Sequence, residues 1–355
     1  MSVRSGLDPR VDFGRQVLVL RHRRFAVRLE WRSVIICAVL TLAVAGTAVL
    51  ALMTGSYQLS PGQVVSALTG GTTGLVHDIV VEWRLPRVVA ALVFGAALGV
   101  SGAVFQSTLR NPLADPGIIG FSQGSYTGAL IVILVVNGTY WQLVGGALIG
   151  GIATAVAVYL LAYRRGVQGF RLIIVGIGIS SMLGSINTWL ILKADLDQAM
   201  AAATWGAGSL NGVSWNQVAI GGACIAVLLL LAAMSSRPMR QLELGDDAAA
   251  AQGVRVSVAR LGLIVLGVAL TATVTAASGP IAFISLVAPQ IGRRLTRSAG
   301  ITLAPAALVG ALLCLAADYI AQHVAPTPLP VGIITVILGG GYLGWLLITE
   351  ARRRL

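Results

Sequence analysis

The chain has 355 residues, of which 56% are hydrophobic and 11% charged, and its mean hydropathy is +0.86. Soluble domains carry about 25% charged residues, so this composition excludes an ordinary soluble enzyme and indicates an integral membrane protein. A net charge of +12 would suggest nucleic-acid binding in a soluble chain. Here the basic residues flank apolar segments as the positive-inside rule requires, and no nucleic-acid partner is expected.

The first 32 residues form a basic segment with eight arginines. The segment lacks the apolar stretch and small-residue cleavage site of a signal peptide. We therefore predict a cytoplasmic N-terminal tail over residues 1–32. A tail held near anionic lipid and a simply disordered tail are equally compatible with this composition.

Ten apolar runs follow. A membrane helix needs about 20 apolar residues to cross the hydrocarbon core, and most of these runs reach that length. We predict an all-α integral membrane domain of about ten transmembrane helices over residues 33–349, followed by a short cytoplasmic C-terminus at 350–355. The runs are 33–53, 88–106, 118–136, 143–163, 172–193, 217–235, 261–277, an apolar piece near 281–292 interrupted by Pro289, 302–323 and 331–349.

The distribution of basic residues predicts the orientation. Ten crossings place both termini on one side of the membrane. If that side is cytoplasmic, Arg84, Arg87 and Lys193 are the only members of the 25 lysines and arginines that lie outside. This strong asymmetry favours cytoplasmic termini, and it leaves the two outer arginines in need of an explanation.

The polar interval 237–260 separates the sixth and seventh runs on the cytoplasmic side. Gly245, Asp246 and Asp247 precede four alanines, and Gly253 ends the series. An acidic start, strong helix formers and a glycine stop predict one short helix. We interpret this interval as a contact for another protein, with an ordinary helical connector as the alternative.

Sites for catalysis, ATP or metal ions are not expected in this chain. A Walker A loop needs Gly-Lys followed by Ser or Thr, whereas the only lysine, Lys193, lies between leucine and alanine. Any ATP must therefore be hydrolysed by a partner. Cys37, Cys224 and Cys314 lie within apolar runs without metal-ligand spacing, so we expect buried small hydrophobes, no disulfide and no bound cofactor.

The fifth run is unusually polar. Ser181, Ser185 and Thr188 recur at helical spacing and predict a polar stripe, which we place along a translocation pathway between the fifth and tenth helices. The alternative is simple helix packing through small polar residues. Glycine pairs are also typical of close helix packing, and the candidates are Gly95/Gly99, Gly146/Gly150 and Gly340/Gly344.

Asp318 is a carboxylate within the ninth run, near its outer end. At the centre of a membrane such a group would cost about 2.5–3.5 kcal/mol. We favour a structural hydrogen bond for Asp318 over a role in transport. A secondary transporter would need intramembrane carboxylates or a cation site, and Asp318 alone supports that alternative weakly.

Six motifs in order resemble the FecCD family of ABC-importer permeases. They span residues 84 to 347 at compatible spacing, whereas the basic tail lies outside the resemblance. The motifs are RLPR at 84–87, GAALGVSGAVFQ at 95–106, NPLADPGIIG at 111–120, LNGVSW at 210–215, GPIAFISLVAPQIGRRL at 279–295 and LPVGIITVILGGGYLGWLL at 329–347.

The resemblance implies a type II ABC importer permease, similar to the vitamin B12 permease, in the bacterial cytoplasmic membrane. It implies a second permease subunit, two cytoplasmic ATPases that use ATP and Mg, and an extracytoplasmic substrate-binding protein. Ferric siderophore is the favoured substrate and a heterodimer the favoured assembly. Haem or vitamin B12 as substrate, and a homodimer, are the alternatives.

The resemblance also implies roles for particular residues. Arg84 and Arg87 would bind carboxylates of the binding protein, which we favour because it explains why two arginines lie outside; snorkelling to lipid headgroups is the alternative. The ATPase-coupling residues would be Gly245, Asp246, Asp247, Ala249 and Gly253. The cytoplasmic gate would be formed by Asn111, Leu113, Gly169 and Phe170, and in the last two this chain departs from the small hydroxyl residues of the vitamin B12 permease.

Overall fold

The computed structural model describes residues 17–22, 25–117, 120–162 and 169–354. Within the predicted basic tail, strands β1 (Val17–His22) and β2 (Phe25–Glu30) form an antiparallel hairpin. The sequence analysis did not predict these two strands, in which valine and phenylalanine favour extended backbone. The rest of the tail, residues 1–16, lies outside the described residues.

All other regular elements of the described chain are helical. Two of the helices are continuous with π-helical segments, Asp78–Arg84 before α4 and Val132–Val136 after α5. The helices are α1 Trp31–Met53, α2 Pro61–Leu68, α3 Leu75–His77, α4 Leu85–Leu109, α5 Phe121–Ile131, α6 Tyr140–Ala162, α7 Gly169–Lys193, α8 Leu196–Gly206, α9 Trp215–Met234, α10 Ser236–Glu243, α11 Asp246–Ala251, α12 Val256–Ser278, α13 Ile284–Thr296, α14 Leu303–His323 and α15 Val331–Arg354.

Each of the ten predicted runs contains one of these helices: α1, α4, α5, α6, α7, α9, α12, α13, α14 and α15. In the described chain, seven helical spans are long and apolar enough to cross a membrane. The segment 121–136 and residues 331–345 of α15 form shorter apolar helical stretches. The eighth run differs most, because α13 has 13 residues and so extends about 20 Å. Before α13, residues 279–283 are not helical.

Helix α4 lies at the centre of the fold. In its apolar part 78% of the residues are buried, compared with 6% in α1 at the periphery. A Cβ atom added at Gly99 would collide with the Ala306 carbonyl group of α14, and one at Gly102 would collide with the Ser285 carbonyl group of α13. Only glycine allows backbones to approach this closely, and such contacts are typical of packed membrane helices.

The predicted glycine contacts are confirmed at two of three places. Gly95 and Gly99 pack on α14, and Gly146 and Gly150 pack on α5. The prediction is wrong for Gly340 and Gly344 on α15, where nothing in the described chain lies within 4 Å of the added Cβ. These two glycines serve no close contact within this chain.

Gly99→Ala should destabilise the folded protein, because the Ala306 carbonyl is backbone and cannot move aside freely. We expect a loss of about 1–3 kcal/mol, as is typical of overpacking. The matched control is Gly222→Ala in α9, where the added Cβ meets nothing within 4 Å and helix propensity favours alanine by about 0.5–1 kcal/mol. The melting temperatures of the purified variants in detergent test this, and equal values would contradict the packing described here.

Candidate functional site

A cavity of about 830 Å³ lies among α5, α7, the end of α8, the segment after α12 and the start of α15. It contains all three residues of the predicted polar stripe, and it is open along one side of this chain. None of the lining residues carries a charge. They are Ser122, Gln123, Tyr126, Ser181, Gly184, Ser185, Asn187, Thr188, Ile191, Gly206, Ala207, Pro280, Ala282, Gly332, Ile333, Val336 and Ile337.

The hydroxyl groups of the stripe are held by their own helix. Ser181 donates to the Ile177 carbonyl at 3.0 Å, Ser185 to the Ser181 carbonyl at 3.1 Å and Thr188 to the Gly184 carbonyl at 3.0 Å. With their protons used in this way, these side chains offer the cavity oxygen acceptors. The surface they form is mildly polar.

An amide network beside the stripe was not singled out from the sequence. The Asn187 Nδ2 atom donates to Gln123 Oε1 at 3.1 Å, and the Thr127 hydroxyl donates to Asn187 Oδ1 at 2.7 Å. Asn187 is 2% exposed, and its amide joins α7 to α5. The available signal was the spacing of Gln123 and Thr127, one helical turn apart in an apolar run, because buried polar groups in a membrane helix need partners.

The predicted coupling interval folds into two short helices, α10 and α11, where one was expected. Gly245 and Gly253 bound α11 with φ values of +118° and +84°, backbone conformations that favour glycine. Asp247 is exposed, as a contact residue should be. Ala249 is fully buried within the chain, so its assignment to a partner surface is corrected: it packs in the core beside α10.

Asp246 is held by two arginines. Its Oδ1 atom accepts from Arg110 at 2.8 Å and from Arg260 at 2.6 Å. Arg110 is the residue that follows α4, and Arg260 lies in α12. The predicted coupling loop is therefore tied by one carboxylate to two membrane helices.

Two of the predicted gate residues, Asn111 and Leu113, lie directly after Arg110 at the end of α4. The Leu113 N–H group donates to Asn111 Oδ1 at 2.9 Å, which closes a tight turn. Ala114 and Leu172 belong to one buried apolar cluster, to which α4, α6 and α12 also contribute. Leu113 and Phe170 are both exposed, at 41% and 78%, and Gly169 begins α7. The gate assignment stays a prediction, and in the described chain the two pairs of residues are related only through the cluster that contains Ala114 and Leu172.

The two outer arginines have partners within the chain. Arg84 donates to the Leu52 carbonyl at 2.7 Å and to the Tyr57 carbonyl at 2.6 Å. Arg87 forms a two-point ion pair with Asp318, at 2.8 and 2.7 Å. Asp318 thus makes the structural interaction that was favoured for it. The charge of Arg87 is neutralised, whereas Arg84 keeps its full charge because carbonyl groups are neutral.

Asp115 is a titratable group near the predicted gate that the sequence did not single out. Burial raises the pKa of this carboxyl, while hydrogen bonds from the Gly117 N–H group and the Ser285 hydroxyl act in the opposite direction. The Gly117 bond measures 2.7 Å. The charged form of Asp115 therefore weakens the folded state.

Comparison with known proteins gives the family. Residues 34–349 match the FecCD transport family. The chain belongs to this family. Its FecCD membership agrees with the motifs between residues 84 and 347, and the β1–β2 hairpin lies outside the matched region.

Individual FecCD relatives match over most of their length. The chain is similar to the ferric enterobactin transport system permease protein FepG of Escherichia coli, with 47% identity over 91% of this chain and 98% of FepG. It is also similar to the hemin transport system permease protein HmuU of Yersinia pestis, with 36% identity over 80% of this chain and 87% of HmuU.

A solved structure has the same fold. An inward-facing metal-chelate type ABC transporter superposes with a TM-score of 0.77 at 28% identity, over 89% of this chain and 99% of that chain. The predicted class, an all-α membrane protein of about ten helices with the type II importer fold, is therefore confirmed for the helical part of the chain. The chain is a multi-pass membrane protein.

Asp115→Asn should raise stability at high pH. The pKa of Asp115 is about 3.9 in the unfolded chain and higher in the folded protein, so stability falls as the pH rises from the first value to the second and stays lowered above it. Asparagine keeps an oxygen for the Gly117 N–H group. We expect the variant to melt above the wild type at pH 8, with a difference that disappears as the pH falls toward the unfolded pKa of about 3.9. Asp247→Asn, at an exposed carboxylate, is the control, and a pH-independent difference for Asp115→Asn would contradict this interpretation.

Proposed function

We propose that this chain is the permease subunit of a binding-protein-dependent ABC importer that carries ferric siderophores inward. The observation that carries the proposal is the uncharged, mildly polar cavity of about 830 Å³ formed by α5, α7 and α15. A siderophore already coordinates its iron, so its passage requires room and mild polarity and does not require metal ligands. The similarity to FepG, a ferric enterobactin permease, supports this substrate class.

The assembly we propose contains a second permease chain. The cavity is open along one side of this chain, and a second permease would supply the missing wall. We favour a different permease chain over a second copy, because the motifs are most similar to siderophore importers that pair two different chains. The similarity to HmuU makes haem the principal alternative substrate, with vitamin B12 behind it.

Two cytoplasmic ATPase subunits would supply the energy and use the ATP and Mg. They would bind the surface formed by α10 and α11, where Gly245, Asp246, Asp247 and Gly253 lie. Both termini would then be cytoplasmic, in a bacterial cytoplasmic membrane. The basic residues that the positive-inside rule places on that face support this orientation.

The binding protein would dock on the outer face. Arg84 is the better candidate for attracting a carboxylate of that protein, because its partners in this chain are the neutral carbonyls of Leu52 and Tyr57. Arg87 would have to leave Asp318 before it could bind a second carboxylate. We therefore propose unequal roles for the two arginines.

Deletion of this chain should abolish iron-limited growth on one class of siderophore. Growth should return with the intact gene and not with Ser185→Trp, because an indole group would fill part of the cavity. Leu230→Trp is the matched control, since Leu230 is exposed on α9, away from the cavity. Vanadate should stop uptake and a protonophore should not. Unchanged growth on every siderophore, with a defect on haem or cobalamin, would overturn the proposed substrate.

Charge reversal at Arg84 should weaken docking more than loss of charge at Arg87. For Arg84→Glu we expect the purified binding protein to bind the reconstituted importer at least about tenfold more weakly, which corresponds to about 1.4 kcal/mol. Arg87→Gln should mainly lower the melting temperature, because it leaves the buried Asp318 carboxylate unpaired. Equal binding by Arg84→Glu and the wild type would contradict the docking assignment, and reversal at both arginines should abolish uptake.

A further inference from the structure

The end of α4 connects two features that were predicted separately. Arg110 directly precedes the turn of Asn111 and Leu113, and its side chain reaches across to Asp246 in α11. The predicted gate and the predicted coupling loop are thus joined through a single residue. The connection spans 136 positions in the sequence, so no local pattern indicates it.

The backbone at Arg110 makes this connection direct. Arg110 has a φ of +50°, a left-handed conformation that ends α4, and the next N–H group, of Asn111, still bonds to the Gln106 carbonyl at 3.2 Å. There is no flexible linker between the arginine and the gate turn. A displacement of the Arg110 guanidinium therefore displaces the last turn of α4 and Asn111 together.

The two arginines on Asp246 differ in their surroundings. The Arg260 side chain is 12% exposed and follows Asp246 by only 14 positions, on the first turns of α12. The Arg110 side chain is 44% exposed. Asp246 itself is 42% exposed. The contact with Arg260 therefore joins α11 to α12 at a mostly buried side chain, whereas the contact with Arg110 is the more exposed of the two.

The exposed contact between Arg110 and Asp246 is weak. Half-exposed ion pairs contribute little to stability, because water and salt screen them. A weak contact does little to stabilise a single fixed conformation. It is well suited to two states that differ by a small free energy, as a conformational switch requires.

We propose that Arg110 is the positioning residue through which movement of α11 reaches the gate turn at 111–114. Arg260, in α12, fixes the orientation of the Asp246 carboxylate. Arg110 follows that carboxylate when an ATPase moves α11. The last turn of α4 then shifts the gate. This inference rests on the proposed function, since it assigns the transmission within the importer proposed above.

The test compares transport with hydrolysis in the assembled importer. The full complex is reconstituted in vesicles with its ATPase and binding protein, and the probe is radiolabelled ferric enterobactin. For Arg110→Gln we expect about tenfold less substrate moved per ATP hydrolysed, with co-purification of the ATPase retained and hydrolysis within about twofold of the wild type. Arg110→Lys, which keeps the charge, should restore the ratio, and Arg297→Gln, which removes an exposed arginine outside the interval 237–260, is the control.

The outcomes separate the inference from the proposed function. If the wild type moves no substrate in an ATP-dependent way, the proposed function fails. If the wild type transports and Arg110→Gln keeps its ratio, the inference is overturned while the function stands. Loss of the ATPase from the Arg110→Gln complex would also overturn it, because Arg110 would then maintain the docking surface without transmitting movement. A loss of coupling equal in Arg110→Lys would point to a purely structural arginine and would overturn it as well.

Discussion

The fold depends on the contact between α4 and α14, where both helices carry glycine or alanine in place of larger side chains. Gly95 and Gly99 on α4 pack so closely against Ala306 and Gly310 on α14 that an added Cβ atom would collide with backbone atoms. Lipid tails are as apolar as leucine, so membrane helices gain little by burying apolar surface and rely on close van der Waals contact. Once α4 is fixed in this way, the helices around it have a rigid reference, and the residues at its two ends act from defined positions.

A second constraint comes from polar side chains inside the membrane domain. The Gln290 amide donates to Gln106 Oε1, and the Gln106 amide donates to the Leu286 carbonyl at 2.9 Å. This pair joins α13 to α4 much as Asn187 joins α7 to α5. A buried amide without a partner would cost several kcal/mol in hydrocarbon, so each amide selects one arrangement of two helices. Close packing determines which helices touch, and the amides determine their register.

The sequence predicted the helices well and their polar contacts poorly. The apolar runs are local and long, which is why ten helices and the polar stripe of Ser181, Ser185 and Thr188 could be recognised. The partners of Arg87 and Arg110 lie more than 130 positions away, and a single sequence contains no signal for such distances. Ala249 was misassigned because four consecutive alanines give no indication of which one faces the core. The β1–β2 hairpin was missed because its arginines suggested a polar tail.

The short helix α13 has a consequence for the cavity. A helix of 13 residues covers about 20 Å, which is less than a hydrocarbon core of about 30 Å, and the non-helical residues 279–283 directly precede it. Backbone of this kind is tolerated at membrane depth only where protein encloses it or water reaches it. Pro280 and Ala282 line the cavity. The segment that precedes the short helix α13 thus also forms part of the wall of an uncharged, mildly polar cavity, a position at which irregular backbone is compatible with a membrane.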